Sequence, residues 1–181
     1  MASPTPRRCR YDAGSRPVPT VVVDRPICQE QRVIGLMQRV SEASVEVDGR
    51  RVAAIGRGLL VLVGVERGDG EAEVRRLLER LLGFRVFDDA GGRMNLDVRA
   101  AGGALLLVPQ FTLAADTAKG NRPGFSKAAD PERGRVLFDR LVEAARAGDV
   151  PVEAGVFGAT MRVALCNEGP ATFWLQVPPR G

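Results

Sequence analysis

Leu59 to Val65 reads LLVLVGV, with only Gly64 interrupting a wholly apolar run. A strand with no polar alternation is covered on both faces, so the fold must supply an apolar layer on each side of it. Ala104 to Val108 (ALLLV) is a second buried strand. Gly56-Arg57-Gly58 turns into the first run, but no GxGxxG or GxxxxGK follows, so these glycines form a turn rather than a phosphate loop.

The rest of the chain from Val33 is strand-rich. Val33 to Val40 and Ser44 to Val47 are apolar or alternating, and Asp48-Gly49 makes a hairpin turn into Val52 to Ile55. Two helices interrupt the strands. In Glu71 to Leu82, Val74, Leu77, Leu78, Leu81 and Leu82 form one stripe, and Gly83 stands where a C-terminal cap belongs. Glu73, Arg76, Glu79 and Arg80 are expected on a solvated face. Asp130-Pro131 opens the second helix, to about Ala147, with Leu137, Phe138, Leu141, Val142 and Ala145 inward. Phe84 to Phe87 is read as a short strand and Asp88-Asp89 as turn-capping carboxylates. Val152 to Ala154 leads into the last apolar runs, and nothing repeats internally.

The first 32 residues differ, with five prolines, six arginines and little periodicity. They are read as a disordered tail or a mis-called start, since Val33 opens the first strand and a valine codon can serve as a bacterial start. The folded domain is then residues 33–181. The tail holds six arginines against Asp12, Asp24 and Glu30, leaving 20 basic and 19 acidic residues in the remainder. Net charge therefore says nothing about nucleic-acid binding by the folded part. Its one local basic patch lies in the loop-like stretch Ala115 to Ala129, which carries Lys119, Arg122 and Lys127 with Asp116 as its only acid.

Chemistry is bounded by what is missing. The chain has no histidine, and Cys9, Cys28 and Cys166 show no CxxC spacing, which excludes Ser-His-Asp, Cys-His and His-cluster metal chemistry. A reduced cytoplasmic setting fits the cysteines, and Cys166 is expected in the core. Gln110 and Thr112, polar residues at the end of an apolar strand, are candidate site residues. Ordered backbone N–H groups are the other resource, since they can stabilise a developing oxyanion by several kcal/mol. In Met161 to Val177, the apolar runs Val163 to Cys166 and Ala171 to Leu175 flank Asn167-Glu168-Gly169-Pro170. That break reads as a turn between two strands. It is either a plain hairpin turn or a stiff corner presenting two carbonyls side by side.

Two motifs carry a resemblance. Gln110-Phe111-Thr112-Leu113 within VPQFTLAADT, and Asn167 to Thr172 within NEGPATFWL, resemble the signature motifs of the D-aminoacyl-tRNA deacylases. The similarity extends to Gln38 to Val45, Gly58 to Val65, Arg93 to Leu96 and Arg122-Pro123, and covers about Val33 to Val177. It implies an α+β, strand-rich, β-barrel-like fold with two main helices, homodimeric, with active sites at the subunit interface. The implied activity is hydrolysis of the ester of D-aminoacyl-tRNA, and of glycine mischarged on tRNA(Ala). The implied partners are aminoacyl-tRNA and a second copy of the chain, with no cofactor, membrane or DNA.

Carried over, Gly169 and Pro170 form a cis corner that enters the partner's pocket and leaves no room for an L side chain. Gln110, Phe111 and Thr112 line the pocket for the scissile ester, with the tRNA's 2′-hydroxyl assisting catalysis. Arg39 resembles the arginine that orients the corner, and Asn167 and Thr172 flank it. Lys119, Arg122 and Lys127 are candidate phosphate contacts by charge. The chain departs from the family's usual serines at Pro109 and Gly124. Pro109 resembles a related animal deacylase that removes alanine from threonine tRNA, so editing of L-alanyl-tRNA(Thr) is a rival reading. A non-catalytic binder of the tRNA acceptor end is another.

Overall fold

A computed structural model describes residues 32–118 and 120–177. The expectations for the N-terminal stretch up to residue 31 and for Lys119 lie outside the described residues. The elements are β1 (Val33–Val47), β2 (Arg50–Ile55), β3 (Gly58–Gly64), α1 (Glu71–Gly83), β4 (Phe87–Asp88), β5 (Met94–Leu96) and β6 (Ala104–Pro109). A 3-10 turn (Phe111–Ala114), α2 (Pro131–Arg146), β7 (Val152–Ala154) and β8 (Met161–Val177) follow.

β1 organises the sheet. One edge pairs antiparallel with β3 over Ile34–Val40 and then with β2 over Ala43–Val47, while the other edge pairs with β8. β3, β6 and β7 run parallel, and each connection between them includes a helix, as parallel neighbours require. β2 packs across onto β6 and β7, so the mixed sheet curls nearly closed.

The two apolar runs identified in the sequence are β3 and β6, and both are buried on two faces. Leu59, Val61, Leu105 and Leu107 meet the helices, where Val74, Leu77, Leu81, Leu137 and Leu141 complete one core. Leu60, Leu106 and Val108 turn the other way and pack with Val40, Val45, Ala53 and Ile55 inside the curl. Burying each such side chain contributes about 1.5–3 kcal/mol, enough to hold both layers on the strands.

Several local expectations are corrected. Glu73 is buried, because its carboxylate accepts from Gly70 N–H at 2.8 Å and closes the first turn of α1. α1 ends on a Phe84 N–H to Arg80 carbonyl bond with Phe84 extended, without a left-handed glycine. Phe84 and Arg85 precede the strand, which is only Phe87–Asp88. Before α1, Asp69 is fully buried. Its Oδ2 accepts from Glu66 N–H at 2.7 Å, and Oδ1 has no hydrogen-bond partner among the described residues.

The largest correction concerns residues 161–177. They are not two strands joined by a hairpin turn, for both halves pair with the same strand, β1. Asn167 lies opposite Val40 and Thr172 opposite Gln38, so four residues of β8 face the single residue Arg39. The ladder resumes on either side, and the excess chain stands out as a corner. Cys166 is exposed, not core.

Candidate active site

Gln110 follows directly from β6. Its N–H donates to Val63 O at 2.7 Å, which continues the parallel ladder by one bond before the chain bends into the 3-10 turn. The bend needs Gly64 beneath it, where a Cβ would stand 2.9 Å from Leu113 Cβ and 3.3 Å from Gln110 O. The Gln110 side-chain amide donates to the Thr112 hydroxyl oxygen. No carboxylate is hydrogen-bonded to that hydroxyl among the described residues, so Thr112 lacks the adjacent base that activates a nucleophile. The amides of Phe111 and Thr112 open the turn, where N–H groups have no acceptor within the helix.

Beside this turn lies a cavity of about 240 Å³ whose walls include Pro109, Gln110, Phe111, Phe138 and Phe157. It is apolar, shaped by β3, the 3-10 turn, α2 and the Phe157-Gly158 turn. Pro109 thus borders it as well. Phe138 and Phe157 were assigned no role there by sequence, although the rarity of aromatic residues in the chain, 5%, was a usable signal.

The Gly169–Pro170 bond is cis, and both residues are exposed. A Cβ on Gly169 would lie 2.9 Å from Asn167 Oδ1. Asn167 Nδ2 reaches Thr172 Oγ1 at 3.4 Å across the base of the corner. Arg39, 9% exposed, holds the corner from below. Its Nε donates to Glu168 O at 3.1 Å, one terminal nitrogen donates to Val86 O at 2.6 Å, and that nitrogen lies 3.4 Å from an Asp88 carboxylate oxygen. Asp88 therefore does more than cap a turn. That task falls to Asp89, whose carboxyl is held below the ordinary range by Asn95 and the N–H groups of Arg93 and Gly91.

Within one subunit the two motifs are apart. β8, β1, β3 and β6 are successive neighbours, so Pro170 and Gln110 are separated by three strand spacings, roughly 14 Å. They are also offset by about five residues along β1, roughly 17 Å, since Gln110 is level with Ile34 and Pro170 with Arg39.

The loop after the 3-10 turn is closed by paired bonds between Asp116 and Gly124, with N···O distances of 2.7 and 2.9 Å. Arg122 and Lys127 are exposed there, and Lys127 approaches Asp116 at 3.8 Å. Both the N–H and the carbonyl of Gly124 are engaged in this closure.

The strand end with its 3-10 turn and aromatic-walled cavity, and the clamped Gly-Pro corner, are thus two separate features of one mixed-sheet fold. The chain belongs to the D-Tyr-tRNA(Tyr) deacylase family, which matches residues 36–176. It is 61% identical over 147 residues to a D-aminoacyl-tRNA deacylase of Thioalkalivibrio sulfidiphilus, covering 81% of this chain and 99% of that one. It is 54% identical over 145 residues to one from Escherichia coli O81, covering 80% and 100%. Among solved structures, a c-Myc DNA unwinding element binding protein superposes with a TM-score of 0.76 at 36% identity, over 80% of this chain and 99% of that one. A probable eukaryotic D-amino acid tRNA deacylase shares the fold with a TM-score of 0.70 at 19% identity, over 81% and 100%.

Proposed function

We propose that this chain hydrolyses the ester of D-aminoacyl-tRNA, and of glycyl-tRNA(Ala), as a homodimer in which each pocket is completed by the partner's corner. The single observation that carries this reading is the distance between the Arg39-clamped corner and Gln110–Thr112 in one subunit. A site that uses both motifs must draw them from two copies. Leu165 and Trp174, 39% and 50% exposed on β8, supply apolar surface for such a contact.

The terminal nucleoside of the tRNA enters the cavity beside Phe111, where Phe138 and Phe157 offer apolar faces to its base. The ester carbonyl then meets the Phe111 and Thr112 amides, which hold its developing negative charge. Thr112 is hydrogen-bonded to Gln110 and has no base beside it among the described residues, so the proton-moving group is the substrate's own 2′-hydroxyl. The partner's Gly-Pro main chain occupies the space an L side chain would need. Backbone cannot swing aside as a rotamer does, so the steric penalty persists while a D residue or glycine fits.

Deacylation of matched D- and L-tyrosyl-tRNA tests the proposal. D-tyrosine should be released far faster, whereas equal rates remove the chiral wedge. A binder of the acceptor end would instead lengthen the lifetime of the ester. Pro109, which resembles the alanine-removing deacylase, borders the cavity, while Phe111 and Arg39 resemble the D-specific branch, so release from L-alanyl-tRNA(Thr) should be measured beside the D substrate.

A further inference from the structure

We propose that Phe125, with the outer side of Phe111, is a stacking platform for the penultimate base of the RNA's single-stranded 3′ end. The inference rests on the proposed function and extends it by one nucleotide beyond the ester-bearing adenosine. The chain has seven phenylalanines, and four of them form a row running from the interior to the surface. Phe138 and Phe157 lie 6.3 Å apart between ring centres, Phe157 and Phe111 both border the cavity, and Phe111 and Phe125 lie 5.2 Å apart. The inner part of the row bounds a space of about 240 Å³, suited to one base and its sugar. The outer pair faces solvent, with Phe111 57% and Phe125 42% exposed. Their rings are tilted by 53°, so Phe111 is not stacked flat over Phe125.

Two further observations favour an RNA base as the occupant. The platform is built in advance: Gly124 is bonded to Asp116 on both sides of its peptide, and Phe125 O accepts from Ala128 N–H at 3.1 Å. The same loop carries exposed Arg122 and Lys127, the latter 3.8 Å from Asp116, and its excess of positive charge suits the phosphate joining the last two nucleotides. An aromatic face accepts any base, because every base presents a π-surface, and such stacking is a general means of holding single strands.

The test uses the full chain and three D-tyrosyl esters: of adenosine alone, of the dinucleotide CpA, and of tRNA. Phe125→Ala should raise KM about fivefold or more for the CpA and tRNA esters and leave the adenosine ester unchanged, fivefold being the low end of what one stacked base contributes. Phe125→Trp should restore wild-type values. Anisotropy with a deacylated CCA-ended minihelix, intact or lacking its penultimate base, adds a readout that needs no turnover. Loss of that base should weaken binding to the wild type and not to Phe125→Ala. The platform is overturned if Phe125→Ala affects the adenosine ester equally, affects none of the three, or shifts the protein from dimer to monomer. A wild type that binds the minihelix through its penultimate base yet hydrolyses no ester would sink the proposed function and leave the platform standing.

Discussion

Replacing Arg39 with methionine keeps an unbranched apolar stem and removes every donor beneath the corner. Two bonds are lost, to Glu168 O at 3.1 Å and Val86 O at 2.6 Å, together with the approach to Asp88. Hydrogen bonds from charged donors contribute about 1.5–3 kcal/mol each. Val86 is 2% exposed, so water cannot readily replace its donor and most of that cost remains. Glu168 is exposed and water compensates there, while the pair with half-exposed Asp88 adds only about 0–1 kcal/mol. The expected loss of stability is therefore roughly 2–4 kcal/mol. The effect on function is separate. With Glu168 O released and water compensating for part of that bond, the corner yields more easily, so the D/L rate ratio should fall by up to roughly tenfold. The assay is release of tyrosine from D- and L-tyrosyl-tRNA, with the folded fraction matched by circular dichroism. Arg39→Lys should be intermediate, since one ammonium cannot span both carbonyls in the manner of a planar guanidinium. A folded Arg39→Met protein with an unchanged D/L ratio would refute the clamp.

Thr112→Ala should retain appreciable deacylation, whereas a substrate ending in 2′-deoxyadenosine should be nearly inert; the opposite pattern in single-turnover rates would make Thr112 the nucleophile. Gly64→Ala should cost about 1–3 kcal/mol by overpacking and lower turnover by moving the 3-10 turn, because its Cβ would stand 2.9 Å from Leu113 Cβ. If thermal melting and kcat both match wild type, the bend does not depend on that glycine. Burial, with smaller contributions from Glu66 and Glu73, pushes Asp69 up to about 6 from 3.8, so the folded state holds its proton more tightly than the unfolded chain. Its effect is thus absent below about pH 4, and stability is lost as pH rises toward 6, reaching a penalty on the order of 3 kcal/mol when ionised. Asp69→Asn should accordingly melt higher than wild type at pH 8, with the gap closing toward pH 4; a gap independent of pH would contradict this.

The layers of the fold were legible because β3 and β6 are apolar at every position, which only two-sided cover explains. Both helices were legible from their stripes, and Asp130 caps α2 through Arg133 N–H as its place before Pro131 suggests. The residues at the strand end, Gln110 and Thr112, stood out by polarity alone. The course of residues 161–177 did not, because Asn-Glu-Gly-Pro has the same composition in a hairpin and in a corner that leaves and rejoins one ladder. Only pairing with a distant strand distinguishes them. Asp88 was missed for a related reason: its partner Arg39 is far away in the chain, whereas the nearby glycines suggested a local turn. Exposed Cys166 shows the same limit, since an apolar run beside a corner does not reveal which face a neighbouring chain will cover.

A loop tied to the same strand at both ends has no hinge. The points where it leaves and rejoins, opposite Val40 and Gln38, are two residues apart on β1, roughly 7 Å. To lift it, the molecule would have to unzip part of a ladder that reaches both ends of β1, an event of partial unfolding rather than breathing. Under the proposed function the corner is therefore a fixed aperture and not a door. Substrate and product must slide past it, and turnover in such a protein should show no slow gating phase.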